Sequence, residues 1–334
     1  MARGPAARAA NAPLVAVDAG WAFTRVIGHV GPSGEVPSLV RWPEDPGAPD
    51  VGWEACGRGR PARRVTHPFD AGRITCTASA RQLLRRMLPG TAPRGATLLA
   101  TVPDDLTADD ARAWLRLFRE TAGVEALLLP DAPVAAYGAG LPIDAPTGMM
   151  TFGVGASRST AAVIALGGAV VSRSRAVGGR HLDEAIQRFA RQAFRLWVDA
   201  ESAERLRRRH GVAGGTDEPV VLSGRELGTG LPRAVEIRAS QLRDAMSVEI
   251  AALRQLVLDT LAATPPALSA DLLDHGIVLI GGASRTPGLD AMLRDATRLV
   301  VLPHPTPQDA ARDGLRRLLG EPGRCREWAL PVTL

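Results

Sequence analysis

Residues 149–166 read MMTFGVGASRSTAAVIAL. An apolar β-rich run leads into Gly153-Val154-Gly155, small and polar residues follow, and a second β-rich run fills 160–166. Strand, glycine turn and returning strand is what this pattern predicts. After Gly167-Gly168 a third strand is predicted over 169–173. The same arrangement opens the chain, where the apolar run 14–17 ends in Asp18-Ala19-Gly20 and a second run returns over 24–30. Two hairpins of one design, one at the head of each half, predict two related domains sharing a cleft.

Working outward, residues 31–95 are rich in proline, glycine and arginine and show helical periodicity only over 78–87, so they read as a small inserted subdomain. A buried strand follows over 97–102 and stops at Pro103. Thr107 with Asp110 is a capping signature, Trp114, Leu115, Phe118 and Ala122 keep helical spacing, and Gly123 ends the helix. The next strand covers 126–129, and strand, helix, strand in this order implies a right-handed parallel crossover in an α/β layer. The second half continues with helices over 182–198 and 202–210, a break at Gly214-Gly215, and a long helix over 240–264 stopped by Pro265-Pro266. Residues 270–275 end at Gly276, 277–280 run as a strand into Gly281-Gly282, and a last helix spans 308–319. The expected domains are 14–146 and 147–334, the second carrying a small subdomain at 182–265, behind a disordered tail at 1–13.

Composition narrows the function classes. A chain of 334 residues, 46% hydrophobic and 22% charged, is globular and long enough for two cores. Its 40 basic residues are all arginine, and they lie scattered among 35 acidic ones for a net charge of +5. With aromatics at 4% and no recognised module, nucleic acid is not an expected partner. Cys56, Cys76 and Cys325 lack paired spacing and read as free thiols of a reducing cytoplasm. The tail carries Arg3 and Arg8 without the apolar run of a signal peptide, and no window has the length of a spanning helix. A cytoplasmic protein with at most peripheral membrane contact is expected. His67, His181, His210 and His275 are not at metal-ligand spacing.

A strand ending in a glycine turn exposes backbone N–H groups that can wrap phosphate oxygens. Three turns have that form: Asp18-Ala19-Gly20-Trp21, Gly153-Val154-Gly155-Ala156-Ser157 and Gly281-Gly282-Ala283-Ser284. Each alone is equally readable as a plain tight turn, and it is their combination that is specific.

Longer stretches carry a family resemblance. Leu166-Gly167-Gly168-Ala169-Val170-Val171-Ser172-Arg173-Ser174, Val177-Gly178-Gly179 and Leu182-Asp183-Glu184-Ala185-Ile186 resemble the middle of the bacterial actin family MreB. So do Gly224-Arg225-Glu226-Leu227 with Thr229-Gly230-Leu231-Pro232, and His275-Gly276-Ile277-Val278-Leu279 before Gly281-Gly282. Pro133-Val134-Ala135-Ala136 and Gly138-Ala139-Gly140-Leu141-Pro142 resemble the family's hinge helix. The resemblance runs collinearly from Val15 to about Gly320 and is weakest over 31–95. It implies the two-domain actin-like, ribonuclease H-like ATPase fold with a central nucleotide cleft, ATP with Mg2+ as cofactor, and a cytoskeletal filament that organises cell shape.

Carried over residue by residue, the resemblance thins at the chemistry. The family's first phosphate loop runs roughly D-L-G-T-A-N, and this chain has Asp18-Ala19-Gly20-Trp21-Ala22-Phe23. Asp18 would hold the metal through water, whereas Trp21 replaces a small hydroxyl residue and Phe23 a polar one. The second loop, roughly D-I-G-G-G-T-T-E, is Gly153-Val154-Gly155-Ala156-Ser157-Arg158-Ser159-Thr160, which lacks the metal-side aspartate and the terminal glutamate. Arg158 reads either as a phosphate partner or as a surface residue. The hinge E-E-P is Asp131-Ala132-Pro133, so Ala132 stands where a glutamate would orient the attacking water. Phosphoryl transfer needs a metal and a positioned nucleophile, and losing one positioned polar group costs roughly 10²-fold or more in rate. Ala132, Gly153 and Thr160 thus leave no catalytic position intact. On the adenosine side Glu204 and Arg207 match the ribose and base positions, and Gly281, Gly282, Ala283 and Ser284 keep the adenine-side turn.

The expectation is an MreB-like scaffold in cell-shape or envelope morphogenesis with impaired hydrolysis, either binding ATP or binding no nucleotide. Expected partners are copies of itself or another MreB-type protein, and the envelope or division machinery. Two other readings stand beside it: an active ATPase with rearranged metal ligands, and a regulatory subunit that caps or copolymerises with a true MreB.

Overall fold

The computed structural model describes residues 13–28, 34–45, 47–57, 62–88, 95–214 and 216–332. The expected tail at 1–13, apart from Pro13, lies outside them, as do residues 89–94 of the loop before the strand at 97 and Gly215 of the glycine break. The chain divides into two compact units, Met1–Leu141 with Asp309–Leu334, and Pro142–Gln308.

In the first unit β1 (Leu14–Ala19), β2 (Phe23–Gly28) and β3 (Gly34–Pro37) form an antiparallel meander. The segment expected to be an inserted subdomain holds β4 (Val40–Pro43), β5 (Asp50–Val51), α1 (Trp53–Cys56), β6 (Ala62–Thr66), β7 (Phe69–Asp70), β8 (Arg73–Ile74) and α2 (Thr77–Met87). Its strands are too short to register as period-two runs in the sequence. Then come β9 (Thr97–Val102), α3 (Ala108–Ala122), β10 (Glu125–Pro130) and α4 (Asp131–Gly138). The Thr107 side chain caps α3 by accepting from the Asp110 amide at 3.1 Å, and Gly123 closes it at φ 65°. The sheet order is β10-β9-β1-β2-β3, with β9 and β10 parallel to β1.

The second unit repeats this plan. β11 (Met149–Val154), β12 (Ser159–Ala165) and β13 (Gly168–Arg175) form the meander, followed by α5 (Gly179–Phe194), β14 (Leu196–Trp197) and α6 (Ala200–His210). β15 (Pro219–Glu226) and β16 (Pro232–Arg238) pair with β14 in a small sheet. Then follow α7 (Ala239–Ala245), α8 (Ser247–Ala262), α9 (Pro266–His275), β17 (Ile277–Ile280), α10 (Leu289–Thr297) and β18 (Val301–Pro303). The main order is β13-β12-β11-β17-β18, with β17 and β18 parallel to the rest of that edge. A three-strand meander extended beyond its first strand by two parallel strands therefore occurs twice.

Several boundaries differ from those expected: the helix expected over 182–198 ends at Phe194, before β14, the one expected over 202–210 begins at Ala200, and three further differences have a non-local reason. The helix expected at 182 begins at Gly179, because the carbonyls of Gly155 and Ala156 accept from the Gly179 and Arg180 amides at 2.9 and 2.8 Å. The long helix over 240–264 is two helices, separated at buried Met246 with φ −93° and ψ 3°. The last segment, α11 (Ala310–Leu318) and α12 (Pro322–Trp328), groups with the first unit, whereas the sequence reading ran the second domain to residue 334. Leu315, Leu318, Leu319 and Cys325 share an apolar cluster with Ala16, Ile27, Leu99, Leu129 and Val134, and each buried leucine, isoleucine or valine among them contributes roughly 1.5–3 kcal/mol. All three cysteines are free. Among the described residues no helix is long and apolar enough to cross a membrane.

Candidate functional site

The first unit's turn is set by its hairpin register. Ala19 lies opposite Thr24 and Asp18 opposite Arg25, and the Gly20 amide donates to the Phe23 carbonyl at 3.0 Å. Cross-strand neighbours sit close enough for their side chains to meet. Accordingly the Arg25 guanidinium donates through Nη1 to Asp18 Oδ2 at 3.1 Å and through Nε to Glu35. Burial alone would lower the Arg25 guanidinium, but the Asp18 and Glu35 carboxylates outweigh it and hold it above its ordinary value. Trp21 does not stand over the turn unsupported: its indole stacks on the His67 ring at 4.0 Å between centroids and 13° between planes. His67 Nδ1 donates to the Trp21 carbonyl at 3.2 Å, a geometry that places the proton on Nδ1. The Phe23 ring turns to Trp53, 6.0 Å away. Ala22 accepts at its carbonyl from the Ser38 amide at 2.9 Å.

The second unit's turn is built from backbone. The Gly155 amide donates to the Arg158 carbonyl at 2.9 Å. The carbonyls of Gly155 and Ala156 are both drawn toward the start of α5. In a trans peptide the N–H points opposite to the carbonyl, and no cis peptide occurs among the described residues. The Ala156 and Ser157 amides therefore both point away from the helix. Two successive amides on one side make a concavity for an anionic oxygen. Gly153 faces Thr160 across β11 and β12, and neither position offers a carboxylate.

Behind this turn lies a second one at the end of β17. Gly281 has φ 85° and ψ 150°, a region open almost only to glycine, and a Cβ there would come 2.5 Å from the Val154 carbonyl. Its amide donates to Pro307 at 2.6 Å, and its carbonyl accepts from the Ser284 hydroxyl at 2.7 Å. Gly282 and Ala283 open the single 3-10 turn Gly282–Arg285. Arg207, paired with Glu204 in the sequence reading, is 3% exposed and turned inward. Its Nε and Nη2 hold Asp183 at 2.6 and 3.3 Å, and Nη1 donates to Thr286 Oγ1 at 2.6 Å. Thr286 donates in turn to the Ala283 carbonyl at 2.8 Å. Arg207 is thus the strut that ties α5, α6 and the glycine turn together. Burial pushes the Asp183 carboxyl above its usual range, and Arg207 offsets only part of that. Glu204 stays near the surface, where Arg208 Nε donates to it at 2.8 Å.

Ala132 lies buried in the first turn of α4. The sequence reading missed Arg25, Glu35 and His67 around the first turn and Asp183 and Thr286 behind the last. Arg25 was within reach, since any hairpin closing at Gly20 to Phe23 sets it opposite Asp18. Asp183 and Thr286 are 24 and 79 residues from Arg207, so no local pattern announces them.

The residues also test the expected metal. Magnesium binds through one or two carboxylates and phosphate oxygens, keeping several waters. Here Asp18 is held by Arg25, and position 153 has no side chain. Among the described residues no three His, Cys, Asp or Glu side chains gather as a metal site. Neither turn, taken by itself, offers magnesium a carboxylate that is not already held by an arginine.

A twice-repeated meander with two parallel strands beyond its first strand, carrying these turns at its strand ends, defines an actin-like protein. The comparisons agree. The structure matches that of MreB 5 of Spiroplasma citri bound to AMPPNP with a TM-score of 0.86 and 23% identity, over 95% of this chain and 98% of that one. It matches the MamK double helical filament with a TM-score of 0.75 and 21% identity, over 93% and 99%. At such identity these likenesses establish the fold. In sequence, the family model described as MreB/Mbl protein matches residues 35–326, and the chain belongs to the MreB/Mbl family. It is 28% identical over 219 residues to the cell shape-determining protein Mbl of Bacillus subtilis (strain 168), covering 65% of this chain and 66% of that protein. It is 32% identical over 208 residues to the cell shape-determining protein MreB of Escherichia coli (strain K12), covering 61% and 60%. The matched stretch spans less than two thirds of the length of these relatives.

Proposed function

We propose that this chain is an MreB-type actin homologue that assembles as a cytoskeletal scaffold in cell-shape or envelope morphogenesis, binding a nucleotide and hydrolysing it slowly or not at all. The observation that carries the nucleotide reading is the pair of Ala156 and Ser157 amides turned to one side by the carbonyl bonds to α5. A structural relative bound to AMPPNP and another bound to ADP support it. Self-association is supported by the MamK filament, and a part in cell shape by relatives described as cell shape-determining proteins. Weak hydrolysis follows from Ala132, Gly153 and Thr160, none of which supplies the carboxylate that would orient water or hold a metal's water shell. Its partners are copies of itself or another MreB-type chain, together with envelope or division machinery, and its place is the cytoplasm with indirect membrane contact.

Sedimentation and electron microscopy of the purified chain with ATP or AMPPNP, alongside phosphate release, test this reading. Polymer in both nucleotides with release at the buffer background is expected. Sustained release would establish an active ATPase instead, and polymer only after addition of another MreB-type chain would establish a regulatory subunit.

A further inference from the structure

The main sheet of the first unit ends at β10, the outermost strand of the order β10-β9-β1-β2-β3, and an outermost strand presents a row of backbone groups with which another strand can pair. Residues 328–332 lie against that row. Trp328 and Ala329 share the apolar cluster of Leu127 and Leu129, whereas Leu330 and Val332 pack with the cluster of Ala126 and Leu128. Successive side chains of a strand point to opposite faces, so these are the two faces of the sheet. Residues 329–330 thus carry the chain around the edge of β10, where the Leu330 amide donates to the Leu128 carbonyl at 2.9 Å. Beyond it Pro331 has no N–H to offer a further strand, and the Val332 amide turns back on the Leu330 carbonyl at 2.8 Å.

The root of this strap is firm and its tip is not. At the root, where α12 begins, Tyr137 Oη donates to Glu321 Oε1 at 2.5 Å and Arg324 Nε holds Glu321 Oε2 at 2.9 Å. The Arg324 guanidinium lies 5.1 Å from the centre of the Tyr137 ring and 5.5 Å from that of Trp328. At the tip Leu330 and Val332 are half-buried and Pro331 is exposed. Two half-buried side chains and an edge hydrogen bond place residues 329–332 at the low end of local stability.

We infer that the β10 edge is a docking strip for an extended apolar segment, filled in cis by residues 329–332 and open, when that strap lifts, to the same segment of a second copy of this chain. The occupant follows from the fit: a side-chain pattern that matches the strip within one molecule matches it between two, which is how exchanged elements join protomers. In place, the strap competes with that contact, because a tethered segment stands at roughly millimolar effective concentration. The contact lies within the first unit and does not depend on the nucleotide reading.

The test titrates a labelled peptide of residues 329–334, standing in for a second copy's strap, against the full chain and against a chain cut after Trp328, without nucleotide. Saturable binding to the shortened chain is expected, with binding to the full chain weaker by about tenfold or more because the tethered strap competes. A peptide carrying Leu330→Asp should not bind. In the full chain Leu330→Asp should lift the strap, bring peptide affinity to that of the shortened chain and speed hydrogen exchange at the amide of residue 330. Equal binding to the full and shortened chains overturns the inference, as does a Leu330→Asp peptide that binds like the native one. Absence of binding to a shortened chain that melts as a folded protein also overturns it, and if that chain does not fold, the full-length Leu330→Asp variant decides. At high concentration the full chain should form a dimer that excess free peptide dissociates, read by sedimentation velocity. No dimer, or one the peptide leaves unchanged, overturns the second copy as occupant.

Discussion

Each unit carries a strand-end turn with an arginine and a carboxylate beside it, and the two arrangements differ in where the pair sits. In the first unit Arg25 and Asp18 lie at the turn and remain partly open to water. In the second, Arg207 and Asp183 lie behind the Gly281 turn, with the guanidinium 4% exposed. A pair that water still reaches adds less to stability than a drier one. A buried one shapes the turn and is costly to break, because the surviving partner is left charged in a dry site. The actin-like backbone of the second unit is therefore held by internal struts, while the first unit's turn is flanked by Trp21 stacked on His67 and by the Arg25 ion pair.

The comparison is broken most directly by removing each arginine. Arg207→Met is expected to destabilise the chain by about 3–5 kcal/mol, against about 1–2 kcal/mol for Arg25→Met, whose carboxylate partners stay in reach of water, read by urea unfolding. The Arg207→Met variant should also show a stronger pH dependence than the wild type. Burial already holds the Asp183 carboxyl above its ordinary range, and losing Arg207 raises it further. A carboxyl raised on folding stabilises the native state while it is protonated, so stability should be greatest at acid pH and fall as pH rises through the new value. If Arg207→Met is instead equally stable across that range, Asp183 is not buried as described. Adding Asp183→Leu should recover much of the loss and flatten the pH curve.

The glycines give a smaller contrast. Gly281→Ala demands a side chain at φ 85° and a Cβ 2.5 Å from the Val154 carbonyl, so roughly 2–4 kcal/mol is expected. Gly20→Ala meets only the Phe23 carbonyl at 3.1 Å and should cost about 1 kcal/mol or less. Similar losses at the two positions would mean that the first turn is as tightly specified as the last.

What the sequence disclosed follows the same division. Strand 97–102, the start of the strand at 149, the Thr107 cap and the glycine turns were legible because apolar runs, caps and glycine are local signals. The strut at Arg207 was not, because a surface-looking Glu204 and Arg207 pair at i and i+3 hides an arginine turned toward acids and hydroxyls from distant segments. The placement of 309–334 was hidden for the same reason: an amphipathic helix shows that it buries a face but not against which sheet. Arg25 stands between, invisible to motif comparison yet fixed by hairpin register alone.

The smallest expected change in stability belongs to Gly153→Asp, and it separates backbone from charge. A Cβ at 153 would rest 3.5 Å from Ile280 Cγ1 and 3.7 Å from the Thr160 carbonyl, which is ordinary contact. Glycine in a strand interior is worth about 0.5–1 kcal/mol less than alanine, so Gly153→Ala should be neutral or slightly stabilising. Gly153→Asp should stay within about 1 kcal/mol of the wild type. The carboxylate, however, has no arginine in its hairpin register, where its opposite residue is Thr160. Binding of a fluorescent ATP analogue should therefore weaken roughly fivefold in EDTA, equivalent to about 1 kcal/mol of charge repulsion, and recover in magnesium. Gly153→Ala should do neither. If alanine weakens binding as much as aspartate, the second turn selects its ligand by shape alone, and the contrast between a first turn flanked by an ion pair and a backbone-built second turn is one of degree.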